Sequence, residues 1–508
     1  MKINKKIDKI ITGLFFSVLL LFFPSCPQTN ILAKFLTDGI PPQILSISPE
    51  EGEILVALDT PVTLTFSEAM DRSSIERALS LNPGTVSGTF SWSPDDKQLV
   101  FTPTNLLEKM TIYTIIITTD AMDKNNVSLE NAATSSFTTR TTSKIAGGSN
   151  YSAALKMDGT VWCWGDNSYM QLGNNTNNPS TSPIQVSGLA GVTEISIYSR
   201  SNQNIVLLSD HTMKLWGRNN YHQLGIGDST TSEGLPIPVV DINAVAANIT
   251  SIAGGGYHTM ALNSNGQVLA WGINNTSQLG LIGTSAEYYP VALPSFTSNI
   301  AKVFCGYASS AAVTSIASGG KLWMWGMNTS GQLGSLSDPV TTPTEVTLLQ
   351  GPVTELSCSQ DFTVAIIQEG ENYNVYTWGL NGTGELGRTP VAGENYIPGK
   401  VDLQDNNVSK IATGYHHVLV LTVNGVLYGW GDNQFAQLGK TATAPGTKNS
   451  PEKILIEDVV DIAAGANHSM ALKSDGTVWT WGLNTASQLG RTNTEVIIDK
   501  VPGLNLNQ

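Results

Sequence analysis

The chain has 508 residues, of which 41% are hydrophobic and 13% charged, with 48 glycines and a formal net charge of −14. Residues 144–508 alone carry 16 Lys+Arg against 26 Asp+Glu, so no basic field hides in the average, and nucleic acid or an anionic membrane surface is a poor partner. The length leaves room for about three domains, and the glycine content suits a turn-rich β architecture.

Lys2, Lys5, Lys6 and Lys9 precede an apolar run from Ile10 to Phe23, which is too short for a membrane-spanning helix. A basic start, a short apolar core and small Ser25 form an export signal over residues 1–25. Phe23-Pro24-Ser25-Cys26 also resembles a bacterial lipoprotein box, although Phe23 and Pro24 are not its usual residues. The resemblance implies that Cys26 is lipidated after cleavage. The protein would then sit in the bacterial cell envelope, periplasmic or surface-exposed, meeting the membrane only through its lipid. An ordinary secretory peptide with an incidental cysteine is the alternative. Residues 26–40 read as a tether.

Residues 41–140 lack the repeat described below. Ile44–Ile47, Val62–Phe66, Gln98–Phe101 and Ile112–Ile117 are predicted strands separated by turn residues, which suggests a β-sandwich. Phe66-Ser67-Glu68-Ala69-Met70-Asp71, with Phe101-Thr102-Pro103 and Asp120-Ala121-Met122-Asp123, resembles the bacterial Ig-like domains of surface proteins, which mostly act as spacers. Asp120 and Asp123 could bind calcium, but a plain turn is the simpler reading.

From residue 141 the chain is organised by one phrase: Trp, Gly, any residue, Asn, three free positions, Gln, Leu, Gly. It begins at Trp164, Trp216, Trp271, Trp325, Trp378, Trp430 and Trp481, at steps of 51 to 55 residues, and only Glu385 departs from its Gln. A fixed period of this size marks stacked units, none able to bury its apolar face alone. Apolar runs of four to seven residues precede each Trp. Asp158-Gly159, Asn265-Gly266, Asn424-Gly425 and Asp475-Gly476 lie between two such runs, as hairpin turns require. Three to four short strands per unit give one propeller blade each. Trp supplies a buried face, Gly a tight departure and Leu a contact between blades.

These repeats resemble those of the regulator of chromosome condensation family, whose units form seven-bladed propellers. The expected fold is therefore all-β: a seven-bladed β-propeller over 141–508, preceded by an Ig-like β-sandwich. Guanine-nucleotide exchange on a small GTPase is the best-known activity in that family. It also includes a secreted bacterial inhibitor of β-lactamase.

Motifs for catalysis are wanting. Gly382-Thr383-Gly384-Glu385-Leu386-Gly387 fits the dinucleotide fingerprint as a string, but no helical pattern follows it. Gly439-Lys440-Thr441 lacks the upstream glycine of a phosphate loop. His258, His417 and His468 recur at one repeat position, which favours a structural role. Cys163, Cys305 and Cys358 show no metal spacing and read as small buried residues.

The sequence thus predicts no enzyme, cofactor, metal or nucleic acid. It points to an exported scaffold that binds an unknown protein partner, with inhibition or regulation of another protein as the alternative. The middle free position of the phrase is aromatic at Tyr169, Tyr221 and Phe435, in repeats that lie on one arc of a closed ring; these are the candidate contact residues. The alternative is that each ring packs on its own blade. Finally, the tail 496–502 is expected to close the ring by pairing within the blade that holds Ile145 to Gly165.

Overall fold

The computed structural model describes residues 40–507, except 228–231, 239–245, 295, 297–298, 391, 406, 440–445 and 493–496. The expected signal, Cys26 and nearly all of the tether lie outside the described residues. The chain divides between Thr139 and Arg140 into two units.

The first unit is a sandwich of two four-stranded sheets, in the orders β1-β3-β6-β5 and β2-β8-β7-β4. Its strands are β1 (Ile44–Ser48), β2 (Glu53–Val56), β3 (Val62–Phe66), β4 (Leu79–Asn82), β5 (Gly88–Trp92), β6 (Gln98–Pro103), β7 (Ile112–Ile117) and β8 (Ala133–Thr139). Alternation builds the core. In β3, Val62, Leu64 and Phe66 are buried while Thr63 and Thr65 are not, and in β7 Tyr113, Ile115 and Ile117 are buried. A short helix, α1 (Arg72–Ala78), follows Asp71, whose carboxylate accepts the Ser74 amide at 2.8 Å as an N-cap. Asp123 is a turn residue: its Oδ1 accepts the amides of Asn125 and Val127, each at 2.8 Å. Asp120 instead accepts the Thr118 hydroxyl, and no group of three or more His, Cys, Asp or Glu among the described residues is arranged to hold a metal.

The second unit contains seven four-stranded antiparallel sheets, one per repeat. The first blade is β9 (Lys144–Gly147), β10 (Tyr151–Leu155), β11 (Val161–Gly165) and β12 (Ser180–Gln185), and the seventh ends with the strands Thr477–Gly482 and Asp499–Asn505. The first strand of every blade lines an axial channel of about 540 Å³. All seven phrase tryptophans are fully buried.

The phrase is a hydrogen-bond device used seven times. Within each blade the Asn side chain accepts the amide of the Leu five residues on, as from Leu172 to Asn167 at 2.9 Å and from Leu489 to Asn484 at 3.0 Å. The Gln side chain accepts the amide of the middle free position, as from Tyr169 to Gln171 at 2.8 Å. Between blades, each indole donates to the Gln carbonyl of the blade before: Trp216 to Gln171 at 3.0 Å, and Trp481 to Gln437 at 2.8 Å. Glycine ends the phrase because the next indole lies against it. A Cβ on Gly490 would sit 2.7 Å from Trp164 Nε1.

The expected closure is overturned. The tail pairs with the strand Thr477–Gly482 of its own repeat, through Thr477↔Asn505, Trp479↔Lys500 and Thr480↔Asp499. The first blade takes its outer strand from Ser180–Gln185, so it is built from one repeat. The segment after each Leu-Gly folds back as the fourth strand of its own blade, and no blade is left short. Side-chain and backbone contacts between the first and last blades close the ring instead. Trp164 donates to the Gln488 carbonyl at 3.0 Å, and Met157 N–H donates to Leu506 O at 3.0 Å. Leu504 and Leu506 pack with Ile145 and Trp164.

Candidate functional site

Within a blade the strands alternate in direction. The turn after the first strand and the phrase after the third therefore open on one face, and the Asp-Gly hairpins open on the other. The first-strand turns lie nearest the axis. They and the phrase form one mouth of the channel, and the starts of the first strands form the opposite mouth.

The opposite mouth carries a ring of residues at one repeat position: Lys144, Glu194, Ser251, Lys302, Glu355, Lys410 and Asp461. Its cations are all paired across neighbouring blades, Lys144 with Glu194 at 3.0 Å, Lys302 with Glu355 at 2.9 Å, and Lys410 with Asp461.

The phrase-side mouth is different. Arg218 occupies the third position of the second phrase, and its guanidinium lies 4.8 Å from the Tyr169 ring, 5.5 Å from Tyr221 and 5.2 Å from Tyr257. Tyr257 meets Tyr307 edge-on at 5.0 Å, with their hydroxyls 2.7 Å apart. Arg200 leaves the first-strand turn of the second blade and reaches residues of the fourth, fifth and sixth blades: the rings of Tyr307 at 5.0 Å and Tyr415 at 3.7 Å, and the Gln360 amide. Tyrosines and the two arginines thus form one ladder across the mouth, all half-buried. Beneath Arg200 the hydroxyls of Tyr198 and Ser199 are buried without a hydrogen-bond partner among the described residues.

The departing Glu385 belongs to the same mouth. It keeps the repeat's bond from the Thr383 amide at 2.8 Å and adds one to His416 Nδ1, also 2.8 Å. Burial alone would raise this carboxyl, but the hydrogen bonds from His416 and Thr383 outweigh it and hold the group below its ordinary value. Asp361, three blades from Arg218, is instead pushed up by burial and accepts from Gln360 at 2.9 Å.

Two of the three predicted contact residues, Tyr169 and Tyr221, meet on Arg218. Phe435 is 37% exposed, and no ring contact joins it to the ladder among the described residues. Sequence reasoning missed Arg200, Arg218, Tyr257, Tyr307 and Tyr415. The available signal was departure from the repeat: Tyr198 in Tyr198-Ser199-Arg200-Ser201 stands where five of the other six units have glycine.

The recurring histidines are part of the framework. Ser310 Oγ donates its only proton to the Gln278 carbonyl at 2.6 Å, so His258 Nε2, 2.8 Å from the same oxygen, must carry the donating proton. His417 with Ser469 and His468 with Ser152 repeat the arrangement. Each Nδ1 is then a buried lone pair, and burial presses all three histidines down to about 3. The three described cysteines are buried and free, with burial pushing their thiols up.

Fold and mouth define a closed seven-bladed propeller of tryptophan-linked repeats. Profiles of the regulator of chromosome condensation (RCC1) repeat match residues 158–198, 215–262 and 265–313, and a second such profile matches 143–171 and 249–278. An RCC1-like domain profile matches 290–507, and a bacterial Ig-like domain profile matches 38–139. The Ultraviolet-B receptor UVR8 of Arabidopsis thaliana is 31% identical over 356 residues, which cover 68% of this chain and 78% of that protein. The chain belongs to the regulator of chromosome condensation repeat family.

The human E3 ubiquitin-protein ligase HERC2 is 29% identical over 344 residues, 66% of this chain but only 7% of that protein. Among solved structures, yeast RCC1 (Prp20) bound to Kap60 superposes with a TM-score of 0.60 at 19% identity, over 72% of this chain and 85% of that one. Human WBSCR16 gives 0.58 at 18% identity, over 67% of this chain and 93% of that one. At these identities the two structures speak to the fold.

Proposed function

We propose that the protein is an exported, lipid-anchored and non-enzymatic scaffold whose propeller binds another protein through its phrase-side mouth. The carrying observation is that departures from the repeat converge there: Arg200, Arg218, Tyr257, Tyr307, Tyr415 and the Glu385–His416 pair, beside Tyr169 and Tyr221. A framework repeated seven times needs none of them, and half-buried tyrosine and arginine are favoured anchors of protein interfaces. A family member captured with a protein bound, Prp20 with Kap60, supports the reading. Anchoring rests on the order of basic, apolar and Ser25-Cys26 residues at the start of the chain. That export signal also disfavours guanine-nucleotide exchange, which needs a GTPase inside the cell.

Crosslinking in native cells tests both parts. The wild-type protein should fractionate with membranes and capture a defined partner. Cys26→Ala should release it from membranes, and Tyr169→Ala, Tyr221→Ala and Phe435→Ala together should abolish capture at an unchanged melting temperature. Capture that survives the triple substitution, or recovery of a cytoplasmic small GTPase, would overturn the proposal.

A further inference from the structure

The region 144–508 contains four arginines. Two serve their own blades: Arg388 donates to the carbonyls of Thr377 and Ile397 at 2.8 and 2.9 Å, and Arg491 to those of Thr480 and Ile497 at 3.1 and 2.7 Å. The other two are Arg200 and Arg218. Stacking engages the faces of a guanidinium and leaves its N–H edge for a planar acceptor. The hydrogen bonds found for them go to neutral amides: Arg200 to Gln360, and Arg218 Nε to Asn220 Oδ1 at 3.0 Å. Neither has a carboxylate ion pair among the described residues. Glu385 in the same mouth is taken by His416, and Asp361 feels the charge of Arg200 but accepts its hydrogen bond from Gln360. The paired lysines of the opposite mouth show that the same ring supplies carboxylates where cations are structural.

We infer that the phrase-side mouth recognises a short acidic segment of a partner protein, with Arg200 and Arg218 each taking an Asp or Glu carboxylate between tyrosine walls. This rests on the protein-binding reading above and names the partner's chemistry. Tyr257 and Tyr307 bridge the two guanidiniums, so one segment lying across them reaches both. The rings exclude water from the pairs, which strengthens each. A nucleic acid would present phosphates as well, but two cations on a propeller of net charge −10 (16 − 26) cannot offset a polyphosphate backbone. A few carboxylates suit the site, and a long acidic tract does not.

Panning a displayed library of random hexapeptides on the full-length protein tests this. Enriched sequences should be rich in Asp and Glu. A synthetic peptide of the leading sequence should lose about tenfold or more in affinity with either Arg200→Gln or Arg218→Gln, as expected for an anchoring charged contact. Because Arg200 also ties blades together, Arg218→Glu provides a second arm: it should reject that peptide and accept its Asp-to-Lys counterpart. Enriched peptides without acidic bias, affinity unchanged in both glutamine variants, or tighter binding of a single-stranded oligonucleotide would each overturn the inference. If binding proves unbiased by charge yet is lost in the Tyr169/Tyr221/Phe435 alanine variant, the acidic ligand falls while the protein-binding reading stands. Failure to enrich any peptide counts against both.

Discussion

The two mouths of the propeller are made by the same repeat and differ in how they treat charge. At one, three lysines meet three carboxylates across neighbouring blades. At the other, two arginines meet tyrosine faces and neutral amides. The first arrangement is complete in itself and ties neighbouring blades. The second leaves donors unspent, at some cost in stability, which is the usual mark of a surface kept for something else. Between them lies a framework of indole, carbonyl, hydroxyl and imidazole that holds both.

That framework predicts the largest effect. An unfolded histidine titrates near 6.5, whereas His258, His417 and His468 titrate near 3 when folded. The unfolded chain therefore binds protons that the native ring refuses. Stability is full above about pH 6.5 and falls as pH drops toward 3, by about 1.4 kcal/mol per unit for each histidine. The three together give about 4 kcal/mol per unit on that scale. Urea midpoints measured from pH 7 to 5 should fall steeply for the wild type and much less for His258→Gln, His417→Gln and His468→Gln combined. Parallel profiles would remove the histidines from the account.

Next comes the seam. Trp164→Ala should cost about 3–5 kcal/mol, the range for a deleted core aromatic. It should cost as much as Trp325→Ala in the middle of the ring, because both indoles are fully buried and donate to the preceding Gln carbonyl at 3.0 Å. A much milder Trp164 variant in thermal unfolding would mean that the tail, and not the indole, closes the ring. The smallest effect belongs to the charged mouth. Glu355→Gln should change stability by less than about 1 kcal/mol, since its pair with Lys302 is 39% and 49% exposed. A larger loss would show that this mouth is a structural clamp and would sharpen its contrast with the tyrosine ladder.

Much of this molecule was determined locally. The phrase and its period announce seven blades, because each residue of the phrase is spent on a bond within its own blade or to the adjacent one. The alternation of Val62 to Phe66 and the β-branched and aromatic run Ile112 to Ile117 likewise announce the sandwich strands. Helix α1 was hidden in Arg72–Ala78, a short helix of about two turns whose only signal is the Asp71 cap.

Ring closure was not legible. The segment after Leu-Gly can pair equally well, by sequence alone, with the strand before it or the strand after it, and only the loop's return path selects the former. The mouth was half legible. Tyr169 and Tyr221 stand out as aromatics at a free position, but Arg200 lies within the second repeat and finds its partners in the fourth, fifth and sixth. No periodicity encodes a contact across the axis. It exists because closing seven blades brings their inner turns together around one channel, and only the tertiary structure decides which of them meet.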